Sequence, residues 1–332
     1  MSMGRLLVAT LMVVMTCQDV FAQNVTYKVT RDNPEEAIQD LYIGLDPLWM
    51  ELGGQNLFSA GWGAYAFYNM NQDLMFEADL KLPYHRRWVD AEYYEIDDKG
   101  KREKEDYYND FKPRKLIQFQ LTGYWTFGSK TRGNRPMKAV VSQSTSGNTT
   151  TTKSLNFRGT KKRLYQLRGG LFYNRTTVSR DMPNPDIFQD KLDSPNDFTE
   201  NPYTNMSYMA VFGGINLARV WESQVDISEY GTRTTRAHNQ FYIDVMFAPA
   251  IRVRDMEVDG TTYDVIANNH FGKQNLGWRV GWAGKPDYKN FTWGTEIGNR
   301  PNIFKTDASG AKSEINRGVY WNYWMIFPLF TQ

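Results

Sequence analysis

Cysteine is nearly missing from this chain: Cys17 is the only one in 332 residues. It lies in an N-terminal stretch that reads as a secretory leader, with Arg5 ahead of an apolar run over 6–15 and Val20, Phe21 and Ala22 forming a cleavage pattern before Gln23. Removal of 1–22 as a signal peptide leaves a mature chain without cysteine, which excludes a disulfide scaffold. Long apolar runs are missing too. Beyond the leader there is no stretch of about 18 apolar residues, and mean hydropathy is −0.59, so a bundle of transmembrane helices is excluded. Charge of one sign is also lacking: the formal net charge is only +2, and no nucleic-acid partner is expected.

Histidine is scarce. His85, His238 and His270 lie far apart, none has a metal-binding spacing, and none has serine two places on as in several lipid hydrolases. No catalytic residue, metal or cofactor is therefore expected, and the chain is not read as an enzyme. The glycine-spaced 61–66 segment superficially matches a dinucleotide fingerprint, but it sits in an alternating run with no helix after it, so its glycines read as close packing in a strand. Five Asn-x-Ser/Thr triplets, at Asn24, Asn148, Asn174, Asn205 and Asn290, carry no weight.

What the chain has in abundance is aromatic residues, 15% of the total, and period-two alternation. Over 115–127, Ile117, Phe119, Leu121, Gly123, Trp125 and Phe127 fall on one face and Gln118, Gln120, Thr122, Tyr124 and Thr126 on the other. That is longer than the usual strand of about 5 or 6 residues and long enough for the roughly 9 to 11 of a membrane-crossing strand. Similar alternation runs over 57–69, 74–82, 165–173, 209–217, 241–247, 276–282, 291–297 and 319–329. Nine strands result, and a tenth is expected either within 41–52 or from a pair merged near 137–157. The 23–54 segment is read as a short helix from Asn33 to about Tyr42 or an extra strand, and 55–332 as the barrel. The charged 84–113 segment, the basic stretch after Phe127, the Ser/Thr-rich 142–154 segment, and 181–202 read as loops. Asp98, Asp259 and Asp307 mark loop tips, and the turns at Asn69 and Lys285 are short.

The Ala22–Gln23 cleavage site, the cysteine-free mature chain, the long amphipathic strands and the aromatic final strand over 319–330 resemble outer-membrane β-barrel proteins of Gram-negative bacteria, and more loosely those of the Bacteroidota. The resemblance covers nearly the whole mature chain. It implies an all-β fold, a transmembrane antiparallel barrel of about 8 to 10 strands with long charged hairpin loops, located in the outer membrane. The partners it implies are outer-membrane lipid, the barrel-assembly machinery and an envelope protein bound through the loops. The chain departs from the pattern where Pro328, Thr331 and Gln332 interrupt the aromatic ending. A soluble secreted β-sandwich would show the same alternation with its apolar face turned inwards.

Seven charged residues fall on polar strand faces and are the lumen-facing candidates: Glu77, Asp79, Lys81, Arg168, Asp244, Arg279 and Glu296. Both signs are present, so they are expected to pair inside a narrow lumen alongside Tyr124 and Tyr242. The function so implied is that of a non-enzymatic structural or interaction component of the envelope. A narrow porin-like solute channel and a lipid-modifying enzyme are the alternatives.

Overall fold

In the computed structural model the described residues are 26–53, 58–71, 73–84, 94–96, 102–104, 116–146, 149–179, 203–254, 256–258, 261–263, 271–285, 291–305 and 318–331. Extended chain dominates. In order, the strands are β1 (Tyr27–Asp32), β2 (Leu41–Gly53), β3 (Phe58–Asn71), β4 (Leu74–Pro83), β5 (Tyr94–Ile96), β6 (Arg102–Lys104), β7 (Ile117–Ser146), β8 (Thr149–Ser179), β9 (Tyr203–Ile227), β10 (Gly231–Val253), β11 (Met256–Val258), β12 (Thr261–Tyr263), β13 (Phe271–Gln274), β14 (Leu276–Lys285), β15 (Thr292–Asn299), β16 (Asn302–Lys305) and β17 (Val319–Thr331). The pairs β5 with β6, β11 with β12, and β13 with β16 form two-stranded sheets. The expected tips at Asp98, Asp259 and Asp307, the 181–202 loop, His85, His270 and the leader lie outside the described residues.

Contacts divide the chain into two units. The larger comprises Ile38–Lys130, Arg163–Arg219 and Ala237–Gln332 and is a closed antiparallel barrel of ten strands. Round the wall the order is β2, β3, β4, β7, β8, β9, β10, β14, β15 and β17, and β17 pairs back onto β2 from Tyr320↔Gly53 to Thr331↔Tyr42. Closure leaves no exposed edge along the wall. The tenth strand is β2, within the segment that the sequence left between helix and strand, so the barrel wall starts at Leu41 and not after 54. The helix expected up to Tyr42 is reduced to a single 3-10 turn, Pro34–Ala37, because Leu41 onward is committed to pairing with β3 and β17. Asn33 still caps that turn, accepting from the Glu35 amide at 3.3 Å.

Side-chain parity in the barrel inverts that of a soluble sandwich. On β10, Phe241, Ile243, Val245 and Phe247 are 41–59% exposed on the outer wall, whereas Gln240, Tyr242, Asp244 and Met246 are at most 4% exposed. The same alternation puts Leu121, Trp125, Leu167, Leu171, Val211, Ile215, Trp278, Trp282 and Trp321 outside. This corrects the sandwich alternative: the closed wall turns its polar face inwards. One barrel end carries the tight turn in which the Asn71 side chain accepts from the amides of Asp73 at 3.0 Å and Leu74 at 2.8 Å, and Thr331 lies at the same end through its pairing with Tyr42. Trp125, paired with Leu74, brings β7 to that end as well.

The smaller unit comprises Met1–Ala37, Thr131–Lys162 and Val220–Arg236. Here β1 pairs with β9 from Tyr27↔Ile227 to Asp32↔Ser223, and its core is Met137, Ala139, Val141, Phe157, Val225 and Ile227. The expected turn near Tyr230 is present, with the Tyr230 amide bonded to the Ile227 carbonyl at 3.0 Å and Gly231 at φ +66°. The basic stretch after Phe127, expected as a loop, is the continuation of β7, and the 142–154 segment, also expected as a loop, is mostly strand, the end of β7 and the start of β8. Threonine favours extended chain, and solvent on both faces removes the apolar alternation by which such a strand is recognised.

A buried charge network as the candidate functional site

Register builds the site. Asp244 on β10 lies directly opposite Arg279 on β14, and Glu296 on β15 lies opposite Gly281 of β14 and Asn322 of β17. All three point inwards by parity, so the ladder itself brings them together. Asp244 Oδ2 accepts from Arg279 Nε at 2.7 Å and from Arg168 Nη1 at 2.5 Å, with all three side chains at most 2% exposed. The second Arg279 branch reaches Gln120 Oε1 at 2.5 Å and approaches Glu296 Oε2 at 3.6 Å. Glu296 is held further by the Tyr242 hydroxyl at 2.6 Å and the Tyr320 hydroxyl at 2.5 Å.

Aromatic rings complete the cage. The Arg168 guanidinium stands 3.7 Å from the Tyr242 ring centroid, and Arg279 stands 4.3 Å from that of Phe212. Inward glycines make the crowding possible. A methyl at Gly281 would come within 2.2 Å of the Tyr242 ring, and one at Gly214 within 2.5 Å of Asp244 Oδ1. On the inward face of β3, a methyl at Gly61 would lie 2.0 Å from the Leu82 carbonyl oxygen, which agrees with close packing in the 61–66 segment.

The remaining candidates lie on β4. Lys81 faces Gln118 in register, Asp79 faces Gln120, and Glu77 faces Thr122. Lys81 Nζ is 3.5 Å from Asp79 and sits over the Trp324 ring at 4.7 Å, while Tyr124 donates to Glu77 at 2.8 Å. Six of the seven candidates, all but Asp244, line one cavity of about 40 Å³ inside the barrel. Asp244 is buried behind them, where it joins Arg168 to Arg279.

Several site residues were missed from sequence. Arg300, bonded to Glu51 at 2.6 Å and stacked 3.7 Å over the Tyr320 ring, is four residues beyond Glu296 and shares its parity. The alternation over 291–297 had only to be extended to find it. Glu51 was hidden because its segment stood undecided between helix and strand. Asp46, 1% exposed, accepts from the amides of Leu48 at 3.2 Å and Met325 at 3.3 Å at a register shift in β2, which no sequence period announces.

Chemically, the network is a set of fixed, oppositely charged groups whose hydrogen-bonding capacity is largely spent within the wall. Buried atoms without a partner remain at Gln240 Oε1, Asn322 Oδ1, Arg279 Nη2 and Arg168 Nε, all on residues lining the cavity, and at Asp244 Oδ1. His238 is buried in β10 with its ring edge-on to Phe67 at 6.2 Å. Among the described residues, no group of three or more His, Cys, Asp or Glu could hold a metal ion. No protein-family model matches the chain, and no similar sequence is found among curated proteins.

Proposed function

We propose that this chain is an outer-membrane β-barrel whose lumen is closed by its charge network, and that it serves as a non-enzymatic structural or interaction component of the envelope. One observation carries the reading: a closed wall with an apolar outside and paired ions inside. A continuous exposed apolar wall is what water disfavours and hydrocarbon accepts. The inward ions match a small barrel's interior, which side chains largely fill. Binding to an envelope partner is assigned to the charged loops, since loops on a rigid scaffold are where recognition concentrates. Outer-membrane lipid and the barrel-assembly machinery are the other partners of this reading.

The cavity supports a second reading, a narrow solute channel. Planar-bilayer recording separates the two: the closed barrel passes little steady current, whereas large, stable, ion-selective currents from the unmodified protein favour the channel. The non-enzymatic assignment is tested by incubating the pure protein with labelled phospholipid and lipid A. Turnover abolished by substituting His85, His238 or His270 would replace it with a lipid-modifying enzyme.

A further inference from the structure

Within the barrel unit, the apolar wall of β8 and β9 ends on two arginines that face each other. The register follows from two contacts. A methyl at Gly169 would lie 3.3 Å from the Phe212 carbonyl oxygen and one at Gly213 4.0 Å from that of Arg168, which sets Gly169 opposite Gly213. On the inward face Asn216 donates to Gln166 at 2.6 Å in the same register. The outward set on β8 is therefore Tyr165, Leu167, Gly169, Leu171 and Tyr173, facing Leu217, Ile215, Gly213, Val211 and Met209 of β9. Each band covers nine residues, within the roughly 9 to 11 that cross a bilayer. The next outward positions are Arg163 and Arg219, which this register places opposite each other. It still holds two residues further on, where Lys161 Nζ stands 5.0 Å from the Trp221 ring centroid.

Arg163 is half-buried and Arg219 exposed, and neither has a carboxylate in ion-pairing reach among the described residues. Like charges directly opposite on neighbouring strands destabilise the pairing, so the site calls for an anion. Its place in the barrel indicates which one. Thr126 of β7 accepts from Gln166 at 3.0 Å, and its amide reaches the Asp73 carbonyl at 2.8 Å, so this edge of the band lies at the end that carries the tight Asn71 turn. Short turns of outer-membrane barrels face the periplasm, and the leaflet on that side is built of glycerophospholipid. We propose that Arg163 and Arg219 together bind the phosphate of an anionic glycerophospholipid at the edge of the apolar band. This rests on the membrane-barrel reading. Guanidinium forks match phosphate oxygens in pairs, and a phosphate between the two side chains replaces their repulsion with charge-assisted hydrogen bonds.

The test is native mass spectrometry of the full chain in detergent, with phosphatidylglycerol or phosphatidylcholine added singly; the choline cation of the second offsets its phosphate. The unmodified chain should retain phosphatidylglycerol in preference by about fivefold or more. Arg163→Gln with Arg219→Gln should abolish the preference, and each single substitution should at least halve it, a readout that stands even where the double variant does not fold. Lys153→Gln with Arg158→Gln removes the same charge from the smaller unit and should leave the preference intact. Full preference without the two arginines, an equal loss in the Lys153 and Arg158 variant, or no preference in the unmodified chain overturns the proposal. So does displacement of phosphatidylglycerol by millimolar inorganic phosphate, which would make the pair a site for the free anion. Failure of the unmodified chain to insert into any bilayer removes the barrel reading as well, whereas insertion without lipid preference removes this proposal alone.

Discussion

Arg279 and Asp244 sit opposite each other in the β14–β10 register, and Arg279 Nε donates to Asp244 Oδ2 at 2.7 Å inside the barrel wall. The same oxygen accepts from Arg168, so one carboxylate holds two guanidinium groups. Asp244→Asn keeps the shape but leaves both cations buried without their anion. Breaking a buried pair in this way costs about 3–5 kcal/mol. The variant should unfold at clearly lower urea in detergent or lipid than the unmodified protein, and Arg168→Gln or Arg279→Gln should weaken the barrel in the same direction.

Gly281 and Gly213 make a matched comparison. Gly281→Ala drives a methyl into the Tyr242 ring, displacing a hydroxyl that bonds Glu296, whereas at Gly213 the nearest atom to a new methyl is the Arg168 carbonyl oxygen at 4.0 Å. Overpacking costs about 1–3 kcal/mol, so Gly281→Ala should lower the unfolding midpoint and Gly213→Ala should leave it nearly unchanged.

These outcomes turn on parity, and parity was legible. The alternation over 115–127 placed Gln118, Thr122 and Tyr124 on the buried side and Phe119, Leu121 and Trp125 on the exposed side, as the structure has them. The seven charged candidates came from the same rule. It failed where the period itself breaks or carries no contrast. In β2, Asp46 and Pro47 sit at a register shift, so the tenth strand was visible only as an alternative to a helix. Over 142–154, the end of β7 and the start of β8, both faces are wet, so strand looked like loop. Which inward charges meet across the lumen is a matter of register between distant strands, as with Arg279 and Gln120, and no local pattern encodes it.

In the smaller unit, Asp32 anchors the N-terminal strand: its carboxylate accepts from the Thr160 amide at 3.0 Å, the Thr160 hydroxyl at 2.6 Å and the Ser223 hydroxyl at 2.7 Å. Asp32→Ala removes all three hydrogen bonds. Hydrogen exchange should then speed up over 27–32 and in its partner strand over 223–227, with the barrel amides unaffected.

Acid should loosen the adjoining turn. Burial alone would raise the Glu36 carboxyl, but bonds from Arg31 at 2.5 Å and Asn33 at 2.9 Å outweigh it and hold the group below its ordinary 4.5. A depressed carboxyl stabilises the fold above its unfolded value, and that contribution disappears as pH falls through the folded one. Arg31 is exposed and Glu36 only half-buried, so the effect is small and sensitive to salt. Exchange over 33–37 should rise in the unmodified protein as pH falls through the lowered Glu36 titration, below 4.5, and Glu36→Gln should remove the pH dependence.

The central claim is that the outer wall meets lipid and the inner wall does not. Spin labels placed one at a time on cysteines at 240–247 of β10, in a Cys17→Ser background, read this residue by residue in reconstituted bilayers. Labels at 241, 243, 245 and 247 should collide with oxygen and be shielded from a water-soluble nickel chelate, alternating with labels at 240, 242, 244 and 246 that are protected from oxygen. Ready access of the nickel chelate to the odd-numbered set, or loss of the period-two alternation, would contradict a membrane-spanning barrel.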